Sequence, residues 1–340
     1  MRISPPFTPW LGGKSKLAAR IVSHFPQHHT YVEPFGSSAA VLMAKAPAQV
    51  EVYNDMDLGL SNLFRVLRDA DLFKRLEEGC HNTAYSRAEF ELAKQPTDDP
   101  VEAARRFIVR QRQSHDGMGR RWGFSVDDSD SGVPASVSRW LTGLDRLPAI
   151  HHRMRRVQIE SDDWRSVVER YDTHRTLFYL DPAHMASSSM LAHGSPGTSG
   201  MTDDDHHHLA DAVLRLNGMV VLSGHRCPAY ERLEKAGWMR IDYDLPGTYA
   251  SYRRDRPQEC LWFSPSAQPR NESASSTERM RQGAYITHRQ RTLVTETQVL
   301  DSIYRLRAAG KRVTFTAVGK EIGMSREHLC RRYRHLFEAA

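Results

Sequence analysis

Three carboxylates in this chain each follow a short apolar or aromatic run. Glu33 follows Thr30-Tyr31-Val32, Asp55 follows Val52-Tyr53-Asn54, and Asp181 follows Leu177-Phe178-Tyr179-Leu180. Such runs read as buried parallel strands. Open α/β sheets hold their ligands outside the carboxyl ends of their strands, so each acid falls where a bound molecule would meet it. Pro182 ends the third run, because proline has no N–H to give a ladder, and Ala183 and His184 follow. After Glu33, the stretch Pro34-Phe35-Gly36-Ser37 starts a loop of small residues that leads into a helix. Such a loop lets a ligand come close to backbone N–H groups. Asp55 ends the second strand, from which nucleotide-binding sheets grip ribose hydroxyls. The Gly-x-Gly-x-x-Gly fingerprint of dinucleotide sites is absent. Upstream, Trp10 precedes Gly12-Gly13-Lys14. That segment offers a ring to cover a flat ligand, a backbone open to close approach and an ammonium to neutralise an anion.

These residues need a frame to position them. Apolar spacing in Leu60, Leu63, Phe64, Leu67, Leu72 and Leu76 predicts core-facing helices over 58–109. A loop then carries Arg110, Arg112, Ser114, Gly117 and Arg120, arginines interleaved with hydrogen-bonding side chains. Arginine is suited to phosphates and to guanine edges; a solvated basic loop is the plainer alternative. A helix is expected over Trp140–Ile150, a strand at Val157-Gln158-Ile159, and a helix capped from Ser161-Asp162-Asp163. Residues 185–200 form a Ser-, Gly- and His-rich loop, and acids at 203–205 open the next helix. His206, His207 and His208 are adjacent on that helix. Neighbours there point about 100° apart, so they cannot share one ion, and no metal is expected. Strands at 219–225, 238–243 and 259–263 complete the sheet.

The balance of charge is uneven. The chain has 340 residues and a formal charge of +6, and residues 271–340 hold 13 Lys/Arg against 7 Asp/Glu. The whole excess therefore lies in the tail, which points to a polyanionic partner there, with a solubilising tail as the alternative. Thr297–Ala309 predicts a helix stopped by Gly310. After it, Thr316 to Arg332 reads as two short helices around Gly323-Met324-Ser325, similar to a helix-turn-helix, with Arg326, Arg331 and Arg332 facing outward to DNA. A three-helix protein-interaction module is the other reading of the same pattern. The four cysteines form no Cys-x-x-Cys pair, as expected of reduced thiols in a cytosol. No apolar run approaches a membrane span, so a cytoplasmic, nucleoid-associated protein is expected.

In order, Trp10-Leu11-Gly12-Gly13-Lys14, then Glu33-Pro34-Phe35, then Asn54-Asp55, then an arginine-rich segment, then Asp181-Pro182 resembles the alpha-group, Dam-like DNA adenine-N6 methyltransferases. The likeness covers roughly residues 5–265. The family ends its last motif Asp-Pro-Pro-Tyr, whereas this chain reads Asp181-Pro182-Ala183-His184. The resemblance implies an α/β fold: a Rossmann-like methyltransferase sheet in domain 1–265, with a mainly helical target-recognition insertion at about 60–160. A linker at 266–283 and a helix-turn-helix module at 284–340 would complete the chain. It implies site-specific transfer of a methyl group from S-adenosyl-L-methionine to adenine N6 in double-stranded DNA, with the base flipped out. The residues matching the cofactor site are Trp10, Lys14, Glu33, Pro34, Phe35, Gly36, Ser37, Asp55 and Asp181. Arg110, Arg112, Ser114, Gly117 and Arg120 match the DNA-contacting region. Asp181 and the Pro182 carbonyl would take both amino hydrogens, turning the nitrogen lone pair toward the methyl, and His184 would stack where the family has tyrosine. The altered motif keeps other readings open: cytosine N4 as target, a different transferred group, or a DNA-binding regulator on a degenerate enzyme.

Overall fold

The structure is a computed structural model that describes residues 14–115, 117, 119–129, 132–183, 201–243, 259–269 and 298–339. Seven strands form one sheet: β1 Thr30–Glu33, β2 Val50–Asn54, β3 Gln158–Glu160, β4 Thr176–Leu180, β5 Met219–Gly224, β6 Met239–Tyr243 and β7 Glu259–Phe263. Their order is β3-β2-β1-β4-β5-β7-β6. The first five are parallel, and β7 runs antiparallel between β5 and β6. Every residue of β4 and β5 is buried. Their apolar runs, Leu177–Leu180 and Met219–Leu222, are therefore the mark of strands covered on both faces rather than of alternating ones. The strand order reverses between β1 and β4. In open sheets such a reversal is where ligands bind, at the carboxyl ends of those two strands, and here Glu33 ends β1 and Asp181 follows β4.

Helices cover both faces. One apolar layer joins α1 (Ala18–Ser23), α2 (Ala40–Ala44), α3 (Leu58–Arg68), α4 (Ala70–His81), α6 (Pro100–Arg112), α7 (Ala135–Leu144) and α8 (Leu147–Met154) to the sheet. The short α5 (Arg87–Leu92) contributes a fully buried Phe90. The other layer holds α9 (Trp164–Tyr171), α10 (Asp203–Val213) and α11 (Glu231–Lys235). Several helix starts are capped by acids and hydroxyls. Asp57, Asp69, Ser86, Asp99 and Asp163 each accept from backbone N–H groups of the helix they precede, and Thr202 and Asp205 form a reciprocal capping box. The single helix expected over 140–150 is two helices. The chain breaks at Asp145-Arg146, and Pro148 sits in the first turn of α8, where its missing N–H costs nothing.

Residues 3–270 and 271–340 are separate compact units. In the second, residues 298–308 form α12, followed by α13 (Phe315–Ile322), α14 (Arg326–Arg332) and α15 (Arg334–Ala339). They enclose their own core of Val299, Ile303, Leu306, Val318, Leu329 and Tyr333. Gly323 ends α13 in the left-handed region at φ 70°, and Ser325 caps α14 by accepting from the His328 N–H. A Cβ on Gly319 would stand 2.4 Å from the Met324 carbonyl, so the turn closes only over glycine. Leu329 is buried and Ile322 half-buried. Arg326, Arg331 and Arg332 are exposed on α14.

Candidate active site

The site is assembled at the carboxyl edge of the sheet. Asn54, the last residue of β2, is fully buried, and its side chain ties three segments together. Its Nδ2 donates to the Pro34 carbonyl at 2.8 Å and the Asp162 carbonyl at 3.0 Å, and its Oδ1 accepts from the Asp162 N–H at 2.9 Å. The loops after β1, β2 and β3 are thus fixed from one amide. Asp55 continues the work. Its Oδ2 accepts from the Ser37 N–H and its Oδ1 from the Asp57 N–H, both at 2.8 Å. The Tyr53 hydroxyl donates to the Ser37 carbonyl at 2.7 Å. A Cβ on Gly36 would fall 2.2 Å from the Tyr53 ring, which explains glycine at that position. Ser37 and Ala39 are held in the left-handed region at φ 47° and 55°. Non-glycine residues keep such backbone only where their surroundings impose it, commonly at ligand sites.

Glu33 is 1% exposed. Its Oε1 accepts from the Tyr31 hydroxyl at 2.6 Å, while its Oε2 is buried with no hydrogen-bond partner among the described residues. Burial pushes this carboxyl up to about 8, against the pull of the Tyr31 hydrogen bond. A buried acceptor without a partner is costly unless a ligand completes it. Ser37 Oγ is in the same condition. Past Asp55, the side chains of Met56 and Leu58 are 64% and 73% exposed, an apolar face beside the acid.

Asp181 leaves β4 beside Lys14. The Lys14 ammonium lies 2.7 Å from Asp181 Oδ1 and 3.3 Å from Glu259 Oε1, and Glu259 also accepts from the Ser223 hydroxyl at 2.7 Å. Burial raises the Asp181 carboxyl, Lys14 opposes this, and Glu259 adds to it, leaving Asp181 at about 6. Burial alone would lower the Lys14 ammonium, but Asp181 and Glu259 outweigh it and hold it above the usual lysine range. The arrangement can supply a dry carboxylate aimed at one reacting group, with a cation to balance it.

Of the residues singled out from sequence, Lys14, Glu33, Pro34, Phe35, Gly36, Ser37, Asp55, Asp181, Pro182 and Ala183 are described, and the carboxylates among them end neighbouring strands or the loops beside them. Trp10 and His184 lie outside the described residues. Sequence reading met Asn54 only as a motif neighbour of Asp55 and gave no role to Met56, Ser223 or Glu259. Asn54 and Met56 flank an acid already chosen, so adjacency was a usable signal. Glu259 and Ser223 reach the site only through the pairing of β5 with β7, which no local pattern announces.

The arginine segment, expected as a loop, begins on a helix: Arg110 and Arg112 lie in the last turn of α6, which runs on until the Gln113 N–H donates to the Val109 carbonyl, and Ser114, Gly117 and Arg120 follow it. Ser114 bridges to Trp122, the His115 N–H donates to the Arg121 carbonyl at 3.0 Å, and the Gly123 N–H donates to the Gln113 carbonyl at 2.7 Å. A Cβ on Gly123 would meet the His115 nitrogen at 2.9 Å. Gly117, in the bend, has φ 74°. Arg120 is exposed and Arg110 half-buried. Arg112 turns inward: its guanidinium donates to the Arg139 carbonyl and packs where a Gly143 side chain would stand. Burial, with Arg146 and Arg139 nearby, lowers Arg112 to about 10. Beyond it, Phe124 is 66% and Val126 89% exposed. Among the described residues, no group of three or more His, Cys, Asp or Glu is arranged to hold a metal ion, and no helix is long and apolar enough to cross a membrane.

A reversing, mostly parallel sheet with acids at its switch point and an antiparallel β7 is a Rossmann-like methyltransferase fold. The chain belongs to the D12 class N6 adenine-specific DNA methyltransferases, whose pattern it matches over residues 10–243. It is an enzyme that methylates adenine N6 in DNA. It is also similar to the Type II methyltransferase M1.LlaDCHI of Lactococcus lactis subsp. cremoris, at 26% identity over 247 residues, covering 68% of this chain and 84% of that one.

Proposed function

We propose that the enzyme takes its methyl group from S-adenosyl-L-methionine bound over the ends of β1 and β2, and delivers it to an adenine turned out of double-stranded DNA against Asp181. The observation that carries this reading is the convergence at one sheet edge of Asp181, Lys14, Glu33 and Asp55, with two buried acceptors, Glu33 Oε2 and Ser37 Oγ, that have no hydrogen-bond partner among the described residues. S-adenosyl-L-methionine suits these residues chemically: it brings an ammonium and ribose hydroxyls as donors, a carboxylate for backbone N–H groups, and an apolar ring. When bound, it supplies an electrophilic methyl on a sulfonium. Glu33 would take the donor groups of its amino acid part or ribose, Asp55 the ribose hydroxyls, and the loop Pro34-Phe35-Gly36-Ser37 would lie along it, with Lys14 and Trp10 flanking. Met56 offers its exposed side chain to the ring.

The exocyclic amine of adenine is a poor nucleophile because its lone pair is delocalised. Asp181 accepts one amino hydrogen and the Pro182 carbonyl the other, which localises the lone pair and stabilises the positive charge that develops on nitrogen. Ala183 keeps the backbone of the motif while removing a second proline ring, and His184 would take the family tyrosine's part against the base. Arg110, Ser114, Gly117 and Arg120 would face DNA. The inward turn of Arg112 favours a bracing role for that residue between α6 and α7.

Purified protein, duplex DNA and methyl-labelled cofactor form the test. Label is expected on adenine N6, and none is expected with Asp181→Ala. Label solely on cytosine N4 would refute the choice of base, and cofactor binding without turnover on any DNA would favour the regulator reading.

A further inference from the structure

Asp181 Oδ1, the oxygen nearest Lys14, is already engaged. The Lys14 ammonium sits 2.7 Å from it, with a side chain only 6% exposed, so it has no ready path to water. An incoming amino group and this ammonium compete for the same carboxylate. The next acceptor is Glu259 Oε1, 3.3 Å from the ammonium, on a side chain 4% exposed. Glu259 opens β7, opposite Tyr243 of β6, while Ser223 of β5 donates to its Oε1 at 2.7 Å. Lysine carries three donors on a flexible stem, so its ammonium can move between two acceptors with little change elsewhere.

We propose that Glu259, held by Ser223, is a positioning residue for methyl transfer: it takes over the Lys14 ammonium as the target amino group engages Asp181. This rests on Asp181 being the amine acceptor. Without a second seat the cation has two poor choices. It can stay on Asp181 and block it, or lie buried without a partner, which is strongly unfavourable. With Glu259 present, the pair of carboxylates shares one cation, and Asp181 gains acceptor strength as the cation shifts away. Among the described residues, the ionisable groups coupled to this cluster are Lys14, Asp181, His225, Tyr179, Tyr230, Cys260 and Glu33, and Tyr243 stands opposite Glu259 across the strands. Among them, the charge of Glu259 acts to raise Asp181, Tyr179, Cys260 and His225.

The test compares the full-length protein with its Glu259→Gln, Glu259→Asp and Ser223→Ala variants. Glu259→Gln is expected to lower kcat roughly ten- to hundredfold, the scale of one charge-assisted hydrogen bond, with cofactor affinity and Tm kept. Its acid limb should also move to lower pH, because the negative neighbour that raises Asp181 is gone. Glu259→Asp should recover part of the rate. A wild-type kcat and an unmoved acid limb in Glu259→Gln would overturn the proposal. So would a loss of rate matched by loss of cofactor binding and Tm, which marks a purely structural role. A second measurement does not depend on the reaction. In 13C-lysine NMR, assigned with Lys14→Arg, the Lys14 titration should move down in Glu259→Gln, and an unchanged titration overturns the shared cation. Wild-type protein that puts no methyl on adenine would refute the reading of Asp181, while the Lys14 titration still decides whether Glu259 holds the cation.

Discussion

At the scale of single residues, the protonation of Asp181 sets the acid side of activity. The carboxyl accepts an amino hydrogen only when ionised. Burial raises it, Lys14 lowers it, Glu259 raises it, and the balance lies at about 6. Turnover at saturating substrates should therefore fall as pH drops through about 6, and that limb should be absent from whatever residual activity Asp181→Asn retains. We expect Asp181→Asn to lose about a hundred- to thousandfold in kcat, the usual cost of removing one preorganised electrostatic partner. A pH–rate profile of both proteins checks this; an acid limb shared by the two would assign the titration to another group. Asp181, Glu33 and Asp55 were legible in the sequence because each interrupts an apolar run at its end. Lys14 was legible as a basic residue after a glycine pair, but not as the partner of Asp181. The distance between them in the chain leaves no pattern, and their contact exists only once β4 and the first turn share an edge.

The helices and strands were legible wherever one physical rule governed a stretch. Apolar runs marked β4 and β5, apolar spacing marked α3 and α4, and polar starts marked α9 and α10. The break between α7 and α8 was missed because apolar spacing continues across it. At the other end of β2 stands a charged cluster that pattern reading did not single out. Glu51 accepts from Lys45 at 2.6 Å and from two nitrogens of Arg153, at 2.5 and 2.8 Å, on α8. Lys45 also lies over the Tyr31 ring, 4.4 Å from its centroid. This cluster ties α8 and the end of α2 to β2. Burial opposes ionisation of Glu51, yet Arg153 and Lys45 prevail and hold its carboxyl below the usual range. Its contribution to stability is therefore complete above the unfolded carboxyl value near 4.5 and is lost as pH falls through the lowered folded value. Glu51→Gln leaves two cations over one neutral group and should cost about 3 kcal/mol, read as a lower urea midpoint at pH 7. The difference from wild type should shrink in acid. Equal midpoints at pH 7 would mean that the cluster merely breaks even against its desolvation.

For the molecule as a whole, the question is what the tail adds to the enzyme. Residues 271–340 carry all of the net positive charge and form a compact unit with its own apolar core. The residues proposed for methyl transfer all belong to the other unit, 3–270, which has two cores of its own. We propose that the tail holds DNA through α14, where Arg326, Arg331 and Arg332 are exposed, and takes no part in the chemical step. A second DNA-binding module on the same chain raises the local concentration of DNA at the first without changing any contact there. Contacts to phosphate release counterions, so affinity that depends on them falls steeply as salt rises. Removing residues 271–340 should therefore weaken DNA binding and flatten its dependence on salt, while kcat at saturating DNA and cofactor affinity stay near those of the full chain. Arg331→Ala with Arg332→Ala should reproduce part of the loss, since each phosphate contact removed lowers the salt slope by about one. Binding measured by anisotropy across a salt series, beside single-turnover methylation, separates the two effects. An unchanged slope in the truncated protein would leave the C-terminal helical unit as a protein-interaction module, and a collapse of turnover at saturating DNA would make it part of the catalytic machinery.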